Sequence, residues 1–199
     1  MPHAKETPIR SLHPTQLTVG MAEVKEKKEH LAAMGAPERR RFMEEHPIPA
    51  VGGPGARLFI TDHHHLGRAA LEVGIEVGYV EMVADLSKLS GDAFWKEMDE
   101  RAWVHPLDQN GVRHRYDRIP QHLDGLLDDL YRSLAGFVRA SGGYEKTPSP
   151  FAEFEWADFF RRLIAFEEVE ADFDAAVKVA IQHARSERAK RMPGYTGTG

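Results

Sequence analysis

Cysteine is absent from all 199 residues. That excludes disulfides, thiolate metal centres and cysteine nucleophiles outright. No apolar run approaches the roughly 20 residues of a membrane-spanning helix. The stretch Met1–Arg10 has no apolar core of a secretory signal. A soluble, cytoplasmic protein with no membrane partner is expected. An excess of positive charge is missing too: 26 Lys and Arg stand against 31 Asp and Glu, a formal net charge of −5. DNA as a partner is possible but not favoured by this balance, because broad nucleic-acid binding leaves a basic footprint. Three local basic clusters (Lys25, Lys27 and Lys28; Arg39–Arg41; Arg185, Arg188, Lys190 and Arg191) read as solvated helix faces. There are no internal repeats, no low-complexity segments and no His-Glu-x-x-His metal motif.

What is present, 42% hydrophobic residues, suits one domain, or one domain with a helical extension. Residues 1–10 read as an irregular start, and 12–19 as extended with a turn at Pro14. Ala22 to Met34 is helical, stopped by Gly35-Ala36-Pro37; a short helix follows over 38–45. Two prolines make 47–51 extended, and Gly52-Gly53-Pro54-Gly55 is a tight turn. A strand over 56–60, a histidine turn and a helix ending at Gly74 come next. Residues 75–83 alternate as a strand; 91–101 is helical; 105–120 is irregular, with a tight loop at Asn110-Gly111. Helical spacing then covers 123–140, 151–166 and 171–191, and 194–199 reads as frayed. The fold class is α+β: a small mixed sheet with flanking helices over 10–90, then a mostly helical half over 91–192 packed on it.

The densest chemistry lies at Ile60-Thr61-Asp62-His63-His64-His65-Leu66-Gly67, between the strand and the helix. A helix start presents backbone N–H groups and the positive end of the macrodipole, where phosphates settle. A neutral imidazole there can donate to a phosphate oxygen, and a protonated one adds charge. Asp62 is placed to cap the helix. His63 and His65 share a face if the turn is extended, which admits a metal with a third ligand from Glu23, His105 or Asp158; no protein metal site is assigned on that basis. A Mg²⁺ held by the phosphates of a nucleoside di- or triphosphate fits better. Farther along, Glu153, Glu155 and Asp158 sit among five aromatics and are expected to pair with Arg132, Arg139 or Arg161. Tyr131-Arg132-Ser133 reads as a buried polar latch joining the helical half to the sheet.

Pro14-Thr15-Gln16-x-x-Val19-Gly20, Gly53-Pro54-Gly55 and Asp62-x-His64-His65 together resemble the ParB/sulfiredoxin superfamily, and its ParB-like nuclease branch in particular. Asp129-Leu130-Tyr131-Arg132-Ser133-Leu134 and Phe151–Phe159 resemble that branch's longer motifs. The resemblance covers about residues 10–170. It implies a small α+β fold with a phosphate-binding turn, and chemistry ranging from serine phosphorylation to DNA cleavage. On this resemblance Gln16, Gly53, Gly55, Asp62, His63, His64, His65 and Arg68 would bind phosphate or nucleotide. His64, His65 and Glu23 would be catalytic, with Glu23 or Asp62 as base or Mg²⁺ ligand. Lys25 and Lys28 would touch phosphates. The sequence departs from the pattern in the turn, which in relatives runs Gly-His-His-Arg or Gly-Cys-His-Arg. Here Leu66 stands at the arginine position and Arg68 lies two residues later. His64 occupies the sulfiredoxin cysteine position, which removes sulfinic-acid reduction. The implied ligand is a nucleotide or phosphorylated small molecule, processed by Mg²⁺-dependent phosphoryl transfer or phosphodiester hydrolysis. The alternative is a non-catalytic DNA- or protein-binding module like those of chromosome partitioning. That reading expects a helix-turn-helix, which the acidic, aromatic second half does not supply.

Overall fold

Strand β1 (Lys5–Pro8), a 3-10 turn (Ile9–Ser11) and strand β2 (Leu12–His13) open the computed structural model, which describes residues 4–197. The irregular start expected over 1–10 is thereby corrected from Lys5 onward; residues 1–3 lie outside the described residues. The physical reason is Ile9, fully buried, whose N–H donates to the Glu76 carbonyl at 2.9 Å.

Most elements that follow lie where the pattern puts them. They are β3 (Thr18–Val19), α1 (Met21–Ala33), α2 (Ala36–Glu45), β4 (Ile48–Gly52), β5 (Leu58–Ile60), α3 (His64–Val73), β6 (Val77–Asp85) and α4 (Gly91–Glu100). Gly74, left-handed at φ 81°, ends α3 by donating its N–H to the Ala70 and Leu71 carbonyls.

Three helix expectations are corrected downstream. The 123–140 stretch is a 3-10 turn (Leu123–Gly125), a short strand β7 (Leu127–Asp128) and only then α5 (Leu130–Ala140). Asp129 sets that start: its carboxylate accepts from the N–H groups of Tyr131 (3.0 Å) and Arg132 (3.2 Å). The 151–166 stretch breaks after α6 (Ala152–Arg161), and a separate α7 (Phe166–Ala171) begins beyond buried Ile164. The last helix, α8 (Phe173–Arg185), is shorter than 171–191 because Asp172 caps it through Ala175 N and Ser186 turns extended. The tail expected to fray is tied down as far as it is described: Glu145 N donates to Gly194 O, and Trp156 Nε1 to Pro193 O, both at 2.8 Å.

Five strands form one mixed sheet in the order β1-β6-β4-β5-β2. Its outer strands, β1 and β2, are joined by only Ile9–Ser11. Four residues from Pro8 to Leu12 reach at most ~14 Å. Four interstrand steps of ~4.8 Å would put a flat sheet's edges ~19 Å apart. The sheet therefore curls. Its two faces are read from β5. Ile60 lies under α3, where a Cβ on Gly67 would meet Leu123 and Ile60. Phe59, the preceding residue, points to the other face and packs on Phe94 of α4 at 4.7 Å.

Contacts divide the chain into two units, one of residues up to 19 with 24–127, the other of 20–23 with 128–199. The first is cored on the α4 face by Leu17, Val51, Phe59, Phe94, Met98 and Ile119. The second is cored by Leu134, Val138, Trp156, Phe160 and Val169, with Ala176, Ala180 and Ala184 of α8. Tyr144 stacks on Trp156 with ring centres 4.3 Å apart. Burial pushes the Tyr144 phenol well above its ordinary value, and it stays a neutral donor to the Ala135 carbonyl (2.9 Å).

Candidate functional site: the histidine turn

β5 delivers the chain to the turn, and Thr61 N donates back to Pro49 O at 2.9 Å. At His63 the backbone goes left-handed (φ 60°, ψ 26°), and His63 itself is the N-cap of α3. This corrects Asp62 as the cap. Its Oδ1 accepts from the adjacent His63 N at 2.6 Å, and no side chain caps α3. The left-handed geometry explains why the resembled pattern carries glycine here: a Cβ in that region costs roughly 1 kcal/mol or more.

The next two imidazoles turn inward. His64 is 4% and His65 9% exposed, whereas Asp62 is exposed. Nε2 of His64 accepts the backbone N–H of Thr15 at 3.1 Å. A backbone N–H can only donate, so Nε2 carries no proton and His64 is neutral, protonated on Nδ1. Thr15 is satisfied on every side. Its hydroxyl donates to Ile60 O (2.7 Å) and its carbonyl accepts from His105 N (2.8 Å). Sequence reasoning passed over Thr15; the signal was its place in the Pro14-Thr15-Gln16 stretch, beside residues that were chosen. Gln16 is buried, donates from Nε2 to Thr18 O at 2.7 Å, and pairs through its backbone with His105.

Arg68, one turn into α3, is committed. Its Nε donates to Glu72 (2.7 Å), and Nη1 donates to the carbonyls of Leu123 (3.0 Å), Asp124 (2.8 Å) and Leu126 (3.3 Å). Arg68 and Lys28 hold the Glu72 carboxyl below the usual range. The guanidinium thus braces α3 against the 123–126 segment. Gly53 and Gly55 lie at the opposite end of β5 from the histidines, because that strand runs from the glycine turn to the histidine turn. Gly55 is left-handed at φ 70°, and a Cβ on Gly53 would sit 2.5 Å from Phe59. Their local work is turning and packing.

Glu23 belongs to the second unit. Its Oε1 accepts from Nη1 of Arg132 at 3.0 Å, and Arg132 also pairs with Glu153, which pairs in turn with Arg139 at 3.0 Å. Ser133 Oγ accepts from Ala22 N at 3.1 Å. The latch expected to join the helical half to the sheet is corrected: its bonds stay within the second unit, where they fasten 20–23 to α5. Asp158 pairs with Arg161, which also holds Asp129 at 2.7 Å. Two of the three acids in α6 take the partners expected for them. Among the described residues no group of three or more His, Asp or Glu is placed to hold a metal ion.

A family model described as "Putative ParB-like nuclease" matches residues 5–162. The chain belongs to this family. Every turn and latch residue above falls within the ParB-like match, which ends one residue past α6. α7 and α8 lie beyond the ParB-like match. The crystal structure of protein Atu1540 from Agrobacterium tumefaciens is similar over 100% of this chain and 99% of its own, at 39% identity and a TM-score of 0.93. The likeness to Atu1540 therefore takes in α7 and α8 as well. No curated protein matches the chain.

Proposed function

We propose that the protein binds a nucleotide or another phosphorylated small molecule at the first turn of α3, and acts on it by phosphoryl transfer or phosphodiester hydrolysis. The observation that carries this reading is the pair of buried imidazoles at a helix N-terminus, His64 and His65, with the His64 tautomer fixed by Thr15. Burial of two such groups is not needed for packing, and the site combines a helix dipole with ring N–H donors. Membership of the ParB-like nuclease family supports the same reaction class.

In this reading His65 positions a phosphate oxygen and His64 keeps the turn rigid through Thr15. Asp62 is the exposed carboxylate of the turn, with Oδ1 on His63 N, and is the base. Glu23, considered for that role, is held by Arg132 and better suits positioning the start of α1. Arg68 supports the frame. Mg²⁺ would arrive on the phosphates and be held mainly by them, and when bound would neutralise phosphate charge. The rate enhancement then comes from positioning and charge stabilisation.

The test is a thermal-shift screen with ATP, CTP, GTP and pyrophosphate, with and without Mg²⁺, on wild type and His65→Asn. It is followed by product analysis on the ligand that binds and on an oligonucleotide. A ligand at about 100 times its Kd adds about 2.7 kcal/mol to the native state. A shift lost in a folded His65→Asn protein supports the site. No shift with any phosphate, or one that survives the substitution, overturns it.

A further inference from the structure

On the other face of the curled sheet, away from α3, the first unit holds a cavity of about 150 Å³. Phe59 and Phe94 form its floor, both nearly fully buried. Trp95, stacked on Tyr116 at 5.6 Å, forms a wall. His13, 5.3 Å from the Phe59 ring, forms another. Arg57 is the cation of the lining. Its Nε donates to Pro54 O at 3.0 Å and its guanidinium lies 5.5 Å from the Phe59 ring centre. No carboxylate pairs with it, and its two Nη nitrogens make no hydrogen bond among the described residues. The acid of the lining, Asp117, is 3.3 Å from Arg115 instead.

These facts select a ligand by size, shape and charge. An engineered cavity of similar volume in another protein takes up a single benzene ring. Aromatic side chains favour a flat ring in offset or edge contact. A guanidinium with unused Nη donors matches a carboxylate, which it can grip through two parallel hydrogen bonds. The first-turn amides of α4, beginning at Gly91 of the lining, add positive potential. Burial, above all, lowers the His13 pKa; the Gln121 backbone opposes this and Arg57 and His122 add to it.

We infer that this cavity is a binding site for a monocyclic aromatic carboxylate, its ring on Phe59 and Trp95 and its carboxylate on Arg57. It is a second site, distinct in face and in ligand from the histidine turn.

The experiment is a titration of the whole protein with benzoate, followed by NMR at the Trp95 indole N–H, assigned with Trp95→Phe. Benzamide and cyclohexanecarboxylate serve as the neutral and the non-planar counterparts. Arg57 is exposed, so Arg57→Gln leaves the fold in place. The expected result is a saturable shift of the Trp95 signal with benzoate. Affinity should fall roughly tenfold or more in Arg57→Gln, as loss of a charge-assisted hydrogen bond implies. Benzamide and cyclohexanecarboxylate should bind more weakly than benzoate. An unmoved Trp95 signal overturns the assignment. So does benzamide binding as tightly as benzoate, or unchanged affinity in Arg57→Gln.

Discussion

The Thr15 backbone N–H and the His64 Nε2 form a buried hydrogen bond, 3.1 Å long, across 49 residues of sequence. It ties the stretch after β2 to the first turn of α3. Replacing His64 with Phe keeps an aromatic ring but leaves the Thr15 N–H buried without an acceptor. A destabilisation of about 1–3 kcal/mol is expected, read from urea unfolding midpoints. A loss below about 0.5 kcal/mol would mean that the bond contributes nothing net to stability.

His63 adopts a backbone conformation that glycine enters freely. His63→Gly is expected to be neutral to stabilising, up to about 1 kcal/mol, since relief of the left-handed strain outweighs the extra freedom of the unfolded chain. The same change at His64, in right-handed helix, should destabilise. Thermal melts of the two variants decide the matter, and a clear loss in His63→Gly would sink the strain argument.

In the second unit, Gly136 of α5 faces the Glu23 carboxylate so closely that an added Cβ would land on it. Gly136→Ala is expected to cost about 2–3 kcal/mol, in the range of overpacked cores. The carboxylate cannot move away without leaving Arg132, itself buried and engaged by Glu153. Gly136→Ala combined with Glu23→Ala should be less than additive, which a double-mutant cycle measures.

His13 gives the pH dependence. Burial, above all, lowers its pKa in the folded protein; the Gln121 backbone opposes this, and the charges of Arg57 and His122 add to the lowering. The unfolded chain titrates near the ordinary value of about 6.5. Below that pH the unfolded state therefore binds the proton first, and stability falls as pH drops from about 6.5 toward the folded value. Above 6.5 the term is absent. An NMR titration of His13 should show a midpoint below the ordinary value, moving up in Arg57→Gln. A midpoint at or above the ordinary value would contradict the assignment.

Much of this was legible because the local signals agreed with one another. α4 was visible as one apolar face, and Gly74 as a stop. The histidine turn was visible as polar residues wedged between a strand and a helix. The start of α5 was not legible, because Leu123, Leu126 and Leu127 continue the helical spacing of Leu130 and Leu134 through a segment that is not helical. Buried Leu123 opens a 3-10 turn, buried Leu126 follows it in extended backbone, and Leu127 is 56% exposed. Only Asp129 marks the true start, and its cap has no second signal beside it. Thr15 was hidden for another reason: its role depends on a partner 49 residues away, a distance at which periodicity says nothing. The commitment of Arg68 to three carbonyls is likewise a tertiary fact, invisible in the resemblance that suggested it as a phosphate ligand.

The tight link between β1 and β2 places a short strand over one margin of β6. β1 contributes one buried residue, Thr7, to the interior. Its main work is to occupy the hydrogen-bonding margin of β6 from Val77 to Val80. Just beyond lie Met82 and Val83, 46% and 44% exposed. Bare backbone donors and acceptors beside exposed apolar side chains form a template for strand addition between molecules. The first strand thus covers a margin flanked by exposed apolar side chains, and trimming the chain to Leu12 would bare that margin and remove buried Ile9 with it.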